Sequence, residues 1–202
     1  MPGIAAVVIE ADDATAAGNF YKAAFDLGDT LQVRETQEPT SGFRGFTMSL
    51  VVSQPSTVDT LVQSALDAGA TAVKPAEKSF WGYGGVVLAP DGTIWTVASS
   101  SKKETGPPTR EVDDVVLLLG VEDVKATKRF YAEHGLAIGK SFGSKYVEFD
   151  TPGAAVKLAL YKRKDAAKNA GVPPEGSGSH RLAVVGDLGT LTDPDGFEWE
   201  AP

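Results

Sequence analysis

The sequence predicts an α+β protein whose two halves are copies of one another. A Phe-Tyr pair at residues 20–21 returns at residues 130–131, each time on a predicted helix that follows a short run of β-forming residues. The segment Ala-Pro-Asp-Gly-Thr-Ile-Trp at residues 89–95 returns as Asp-Pro-Asp-Gly-Phe-Glu-Trp at residues 193–199. Two matches in the same order and at nearly the same spacing indicate an internal duplication.

A polar segment separates the two copies. Residues 100–110 are rich in serine, lysine and proline and have no hydrophobic periodicity, which is typical of a linker. We therefore predict a first domain at residues 1–99, a linker at residues 100–110 and a second domain at residues 111–202. The Pro-Asp-Gly tripeptide of each copy predicts a turn between two strands, because proline presets φ and glycine permits a positive φ.

The first copy alternates predicted strands and helices. Asp12 and Asp13 are typical N-caps for the helix that carries the first Phe-Tyr pair. A second helix is predicted at residues 57–68, because apolar side chains recur there at helical spacing and Gly69 ends the pattern. Strands are expected at residues 7–10, 46–52, 85–88 and 94–98, with a further strand around Val73.

The second copy follows the same order but is shortened near its C-terminal end. Asp123 is the expected N-cap of its first helix, and residues 162–169 predict a short, solvent-exposed helix rich in lysine. The four residues 186–189 stand where the first copy has an entire helix. Either this last unit is rudimentary, or the helix at 162–169 packs where the missing helix would lie. Strands are expected at residues 115–119, 144–149, 155–161 and 180–185.

Composition excludes several classes of function. The 202 residues carry a net charge of -8, which repels nucleic-acid phosphates and anionic lipid. Cysteine is absent, so neither a disulfide nor a thiolate is available. The longest apolar run, at residues 115–121, is far shorter than the roughly 20 residues of a bilayer span, and the N-terminal residues do not resemble a secretory signal. We expect a cytoplasmic protein that binds neither nucleic acid nor membrane.

The motifs of both copies resemble those of one superfamily. Phe80-Trp81-Gly82-Tyr83-Gly84-Gly85 leads into the first Pro-Asp-Gly turn, and each copy places its Phe-Tyr helix after an aspartate cap. The chain thereby resembles the vicinal oxygen chelate superfamily, which contains glyoxalase I, bleomycin-resistance proteins and extradiol dioxygenases. The resemblance implies duplicated βαβββ modules, the fourth truncated, that form two cupped mixed β-sheets flanked by helices. It further implies one eight-stranded sheet in each half, with a small ligand on its concave face.

The resemblance also assigns positions for a metal. Metal-dependent members use histidine or carboxylate side chains at three strand positions, and the bound ion polarises substrate oxygens. These positions fall on Ala6, Thr47 and Thr96 in the first copy and on Val116, His180 and Glu200 in the second. Two protein ligands seldom hold a transition metal tightly. We therefore expect no cofactor, with a divalent metal at His180 and Glu200, completed by Glu10 or substrate oxygens, as the alternative.

Three interpretations of His180 and Glu200 stay open. They bind a metal; they act as a catalytic acid–base pair, because a carboxylate tunes the basicity of histidine; or both are structural. Candidates for ligand contacts are the aromatic side chains of Trp81 and Tyr83 and the hydroxyl groups of Thr47 and Thr96.

Two functions follow from the resemblance. The first is a metal-independent protein that binds a small, partly apolar molecule in a cup, as the drug-sequestering bleomycin-type members do. The second is a metal-dependent enzyme of the glyoxalase or dioxygenase type. Since the duplication supplies internally what single-copy members obtain by dimerising, we expect a monomer, with a homodimer as the alternative.

Overall fold

A computed structural model describes residues 2–202 of the chain. Its α-helices are α1 (Ala14–Ala24), α2 (Pro55–Asp67), α3 (Val124–Glu133) and α4 (Arg163–Ala170), and a 3₁₀ turn covers Gly28–Thr30. Its strands are β1 (Ile4–Ala11), β2 (Leu31–Glu35), β3 (Thr40–Gly42), β4 (Phe46–Val51), β5 (Thr71–Lys78), β6 (Tyr83–Leu88), β7 (Ile94–Ser99), β8 (Asp114–Val121), β9 (Ala137–Phe142), β10 (Tyr146–Asp150), β11 (Lys157–Lys162), β12 (Gly176–Gly178), β13 (Leu182–Gly186), β14 (Leu191–Thr192) and β15 (Glu198–Glu200). No helix within residues 2–202 has the length and apolar content that crossing a bilayer requires.

Equivalent aspartates start the first helix of each copy. The Asp13 carboxylate accepts a hydrogen bond from the Ala16 amide at 2.8 Å, and the Asp123 carboxylate accepts one from the Ala126 amide at 3.2 Å. These side chains satisfy amides that have no partner within the helix. The caps predicted at Asp13 and Asp123 are therefore confirmed, whereas Asp12 lies ahead of the cap and pairs with Arg181 instead.

Two mixed β-sheets form the body of the protein. The eight-stranded sheet has the order β5-β6-β7-β4-β8-β11-β10-β9, and the five-stranded sheet has the order β14-β15-β13-β1-β2. Strands β3 and β12 form a separate two-stranded ribbon. The predicted α+β class, with duplicated modules and two mixed sheets, is confirmed.

The sheets do not follow the division of the sequence at the linker. The eight-stranded sheet joins β4–β7 of the first copy to β8–β11 of the second through the antiparallel pair β4–β8. The five-stranded sheet joins β1 and β2 to the strands of the last module through the pair β1–β13. The expectation of one eight-stranded sheet per half is therefore wrong. Each copy has two strands that would be free edges within that copy, and pairing across the copies removes these edges.

One hydrophobic core lies between the sheets and helices α1–α3. Alternate strand residues enter it, including Met48, Trp95 and Leu117 of the eight-stranded sheet and Val184 and Trp199 of the five-stranded sheet. The remaining residues of each strand point to the other face, which we call the reverse face of that sheet.

Helix α4 lies on the reverse face of the eight-stranded sheet, in contact with β4, β8 and β11. Its alanines Ala166, Ala167 and Ala170 are buried in a small second cluster with Phe43 and Ile94. The helix predicted at residues 162–169 was expected to be exposed to solvent, and this expectation is wrong. The alanines recur at helical spacing, so the helix buries this stripe and leaves its lysines in solvent.

The fourth module has no helix of its own. Between β13 and β14 the chain makes only a short turn. Helix α4 covers the eight-stranded sheet, which does not contain β13 or β14, and it lies on the reverse face of that sheet. Of the two alternatives, the rudimentary module is therefore correct, and α4 does not replace the missing helix.

The repeated aromatic motifs build the same contact twice. The Tyr21 ring lies 5.5 Å from the Trp95 ring, at an interplanar angle of 51°. The Tyr131 ring lies 5.6 Å from the Trp199 ring, at 52°. In each copy the tyrosine hydroxyl also donates to an aspartate of the closing turn. The motifs that reveal the duplication thus fasten a helix to the last two strands of each copy.

Candidate functional site

Four of the six positions assigned to metal ligands lie in two rows, one on each reverse face. Thr96, Ser49 and Val116 lie side by side across β7, β4 and β8. In the five-stranded sheet, Val185 takes the middle position, with Glu200 on one side and the first-strand alanine at position 6 on the other. Glu200 is therefore the counterpart of Thr96, as the repeat predicts. Each row combines residues of both copies.

The strand register corrects one of these positions. In the first copy Trp95 pairs with Met48 of β4, and in the second copy Trp199 pairs with Val184 of β13. The counterpart of Thr47 is therefore Ala183, and His180 lies ahead of β13 rather than on it. The residue after His180 has a φ of +52°, which turns the chain out of the extended conformation before the strand begins.

His180 is held between two backbone carbonyl groups. Its Nδ1 lies 2.5 Å from the Arg44 oxygen and its Nε2 lies 3.0 Å from the Asp195 oxygen. The ring stacks on Phe197 with 3.9 Å between the centroids. Carbonyl oxygens only accept hydrogen bonds, so each ring nitrogen of His180 lies against a backbone acceptor and is not directed at a ligand site. This geometry favours the structural interpretation of His180.

Arg44 occupies the equivalent place in the first copy. It precedes β4 as His180 precedes β13, and its Nη2 donates to the carbonyl oxygen of Asp91, the counterpart of Asp195. A side chain ahead of the strand thus ties down each Pro-Asp-Gly turn. The sequence analysis did not single out Arg44, although aligning the turns and strands of the two copies would have paired it with His180.

Arg34 of β2 joins two carboxylates on the reverse face of the five-stranded sheet. Its Nη2 lies 2.6 Å from Glu10 Oε1 and 2.9 Å from Glu200 Oε1. The hydrogen bonds to Glu200 and Glu10 raise the pKa of Arg34 above its usual value. The structure therefore brings together the two carboxylates that the metal hypothesis uses, but a guanidinium of the chain itself lies between them.

These residues do not fit a resident divalent ion. The nitrogens of His180 face carbonyl groups and Glu200 pairs with Arg34, and no hydrogen bond or ion pair within residues 2–202 joins His180 to Glu200. The same part of the chain has no group of three or more histidine, aspartate or glutamate side chains arranged to hold a metal. A transition-metal site needs three or four converging donors.

The four predicted ligand-contact residues lie in three places. Thr47, 2% exposed, and the half-buried Thr96 share the reverse face of the eight-stranded sheet, where α4 crosses β4. Trp81 lies at the tip of the β5–β6 hairpin and is 83% exposed. Tyr83 packs on the core side and donates to Asp59 of α2 at 2.7 Å, and this hydrogen bond raises the pKa of Tyr83 to about 12. The structure brings only the two threonines together.

A pocket of about 660 Å³ lies along α1, between this helix, the end of α2 and the turn that contains Asp91. It is larger than two other pockets of the described residues, of about 370 and 310 Å³. The side formed by α1 is apolar at Ala17, Phe20 and Ala23, and Arg44 is among the other lining residues. Seven of the fourteen lining residues are apolar and five are charged, and the volume of the pocket lies in the range typical of sites for small organic ligands.

Arg181 closes one end of this pocket. Its buried side chain donates from Nε and Nη2 to the Glu38 carbonyl oxygen, at 3.0 and 2.7 Å. The same Nη2 lies 2.8 Å from Asp12 Oδ1, and this hydrogen bond lowers the pKa of Asp12. The chain thus engages two of the three guanidinium nitrogens of Arg181.

Replacing Asp12 with asparagine is expected to lower stability at neutral pH and to have no effect in strong acid. Because the folded-state pKa of Asp12 is lowered, its contribution is complete above the unfolded pKa and disappears as the pH falls below about 4. Urea midpoints at pH 7 and pH 2 measure the difference. Glu35→Gln on exposed β2 is the charge-matched control, and a midpoint change at pH 7 no larger than in this control would contradict the prediction.

Solved structures resemble the chain over its whole length. Glyoxalase I from Zea mays matches with a TM-score of 0.60 and 12% sequence identity, covering 100% of this chain and 92% of the maize chain. A point mutant of the maize enzyme gives a TM-score of 0.61 at the same identity and coverage. A candidate dioxygenase from Bacillus subtilis gives 0.55 at 12% identity, covering 96% of this chain and 71% of its own. No protein-family model and no curated protein matches the sequence. The structural matches lead to one conclusion: the chain has the fold of glyoxalase I.

Proposed function

We propose that the protein binds a small organic molecule without a resident metal ion, in the pocket along α1. The observation that carries the proposal is the pocket itself, with a volume of about 660 Å³, an apolar wall along α1, and Arg44 among its charged lining residues. Pockets of about 300–1,000 Å³ accommodate ligands of drug-like size.

The residues at the metal positions support the metal-independent form of this proposal. Ala6 and Val116 have no donor atoms, and the chain itself engages His180 and Glu200. Arg34 takes the position between Glu10 and Glu200 that a cation would need. A metal would therefore have to displace a guanidinium from two hydrogen-bonded carboxylates.

A fragment screen by two-dimensional NMR tests the proposal. Neutral, acidic and basic fragments at millimolar concentration are expected to shift amide signals of residues around the pocket, such as Ala17 and Asn19. Ala16→Phe places a ring in the pocket from an exposed helical position and is expected to weaken binding by about tenfold, or about 1.4 kcal/mol. Ala126→Phe, at the equivalent position of α3, is the matched control. Binding that Ala16→Phe leaves unchanged would overturn the proposal.

Metal content provides the second arm of the test. After dialysis against Mn²⁺, Fe²⁺, Ni²⁺ or Zn²⁺, mass spectrometry is expected to find less than one ion per chain. The alternative, an enzyme of the glyoxalase or dioxygenase type, predicts one tightly bound ion that Glu200→Gln or His180→Ala removes. Such a result would refute the metal-independent proposal.

A further inference from the structure

We propose that the ligand of the α1 pocket is a small monocarboxylic acid with an apolar body, and that Arg44 binds its carboxylate. This inference rests on the proposed function, to which it adds the chemical class of the ligand. It is carried by a buried guanidinium nitrogen of Arg44 that has no hydrogen-bond partner within residues 2–202.

The acidic groups of the pocket wall are already satisfied by the chain. Each carboxylate has a donor within hydrogen-bond distance: Arg181 for Asp12 at 2.8 Å, the Ala16 amide for Asp13 at 2.8 Å, and the Tyr21 hydroxyl for Asp91 at 2.5 Å. None of them pairs directly with Arg44, although Asp91 accepts from it through the backbone carbonyl.

Of the two arginines that line the pocket, Arg44 is the one with a buried guanidinium nitrogen that lacks a hydrogen-bond partner within residues 2–202. Its Nη2 donates to a carbonyl oxygen, its Nη1 is buried, and neither Nη1 nor Nε has a hydrogen-bond partner within residues 2–202. Desolvation lowers the pKa of Arg44, and the opposing charge of Asp91 offsets this only in part. A half-buried guanidinium that lacks a carboxylate partner costs free energy, which an anion bound from solution would recover.

The turn around Asp91 holds Arg44 against the pocket. Gly92 has a φ of +91°, and a Cβ atom there would lie 2.7 Å from Arg44 Nη2. The glycine therefore lets the guanidinium lie directly on the turn. The N–H groups of a planar guanidinium match the geometry of a carboxylate, so a ligand carboxylate that displaced the packing over Nη1 would supply the acceptor that Nη1 lacks.

The rest of the wall defines the other features of the ligand. Ala17, Phe20 and Ala23 of α1 offer apolar contact for a short hydrocarbon body. The carboxylates of Asp12 and Asp91 border the same space and would repel a doubly charged group such as a phosphate monoester. A single negative charge on an apolar body fits both conditions.

Paired probes that differ only in charge test the inference. Cyclohexanecarboxylate and cyclohexanecarboxamide are titrated against the labelled protein at pH 7 and constant ionic strength. The wild type is expected to bind the carboxylate at least about tenfold more tightly than the amide. In Arg44→Gln the carboxylate is expected to fall to the affinity of the amide, while the amide binds as before. Arg44→Lys keeps the charge and is expected to retain part of the preference, which provides a second variant if Arg44→Gln does not fold.

Arg129→Gln on exposed α3 removes the same charge outside the residues that line the pocket and is expected to keep the full preference. Equal binding of both probes by the wild type, or a preference that survives Arg44→Gln, would overturn the inference while leaving the pocket a binding site for neutral molecules. If neither probe shifts the pocket amides but other fragments do, the inference alone fails. If no fragment does, the proposed function fails with it.

Discussion

Replacing Tyr131 with phenylalanine is expected to lower the free energy of unfolding by about 2–4 kcal/mol. The Tyr131 hydroxyl donates to Asp193 Oδ2 at 2.8 Å and accepts from Trp199 Nε1 at 3.1 Å, and all three side chains are buried. Without the hydroxyl, a buried carboxylate oxygen loses its donor and a buried indole N–H loses its acceptor. Urea unfolding at pH 7, followed by tryptophan fluorescence, measures the loss.

The duplication provides a matched control in Tyr21→Phe. The Tyr21 hydroxyl donates to Asp91, which is only partly buried, and Trp95 Nε1 has no hydrogen-bond partner within residues 2–202. This variant removes one hydrogen bond and is expected to cost about 1 kcal/mol. Equal losses in the two variants would contradict the explanation given for Tyr131.

The effect of Tyr131→Phe is also expected to depend on pH. Burial raises the pKa of Asp193, whereas its hydrogen bonds, including the one from Tyr131, act to lower that pKa. A raised folded-state pKa favours folding at low pH, and this advantage disappears as the pH rises through the folded-state pKa. Protonated Asp193 has less need of a donor, so the deficit of the variant is expected to shrink between pH 7 and about pH 4. A deficit that stays constant over this range would show that the carboxylate is not its source.

Replacing Gly120 with valine is expected to cost about 2–3 kcal/mol and to loosen α4. A Cβ atom at Gly120 would lie 3.1 Å from each of three neighbours, namely the Cβ of Ala166, the Cα of Arg163 and the carbonyl oxygen of Gly45. Two of these are backbone atoms, so the helix must move away from β8. Valine favours strands, so a loss of stability would arise from the helix contact. Faster hydrogen exchange of the α4 amides would accompany it.

Gly18→Ala is the control for Gly120→Val. Gly18 lies in the middle of α1, and a Cβ atom there would meet no heavy atom within 4 Å. This substitution is expected to raise the free energy of unfolding by about 0.5–1 kcal/mol, since alanine loses less entropy than glycine in a helix. If Gly120→Val left both stability and the exchange of α4 unchanged, the close packing of α4 on the sheet would be refuted.

The fold was predictable where the determinants are local. N-caps, the Pro-Asp-Gly turns and the repeated Phe-Tyr and Trp positions each depend on a few neighbouring residues. Strands β2 and β9 were missed because they are polar edge strands with exposed side chains, as the segment Ala137–Phe142 illustrates. The docking of α4 was missed because three alanines among lysines and arginines are a weak hydrophobic pattern. The pairing of the two copies was beyond local patterns, since β8 has hydrophobic partners available in either copy.

The candidate site was predictable only in part, for a related reason. The counterpart of Thr96 was identified as Glu200 because both lie at a fixed distance after a glycine in a recognisable turn. The strand before that turn has no such marker in the second copy, and His180 was assigned to the position of Ala183. Arg44 and Arg34 owe their roles to partners far away in the sequence, such as Asp91 and Glu200. No spacing rule reveals contacts of that kind.

Because strands of the two copies pair with each other, the linker at residues 100–110 is not the main connection that holds the copies together. Two strand seams, β4–β8 and β1–β13, would still join the copies if this segment were cut. A single copy on its own would instead present two unpaired strands, one from each sheet, both flanked by apolar surface. Such edges invite association with another chain. Only the two copies together leave none of the strands β1, β4, β8 and β13 as an open sheet edge, so the pair of copies, and not either copy alone, is the smallest stable unit expected of this sequence.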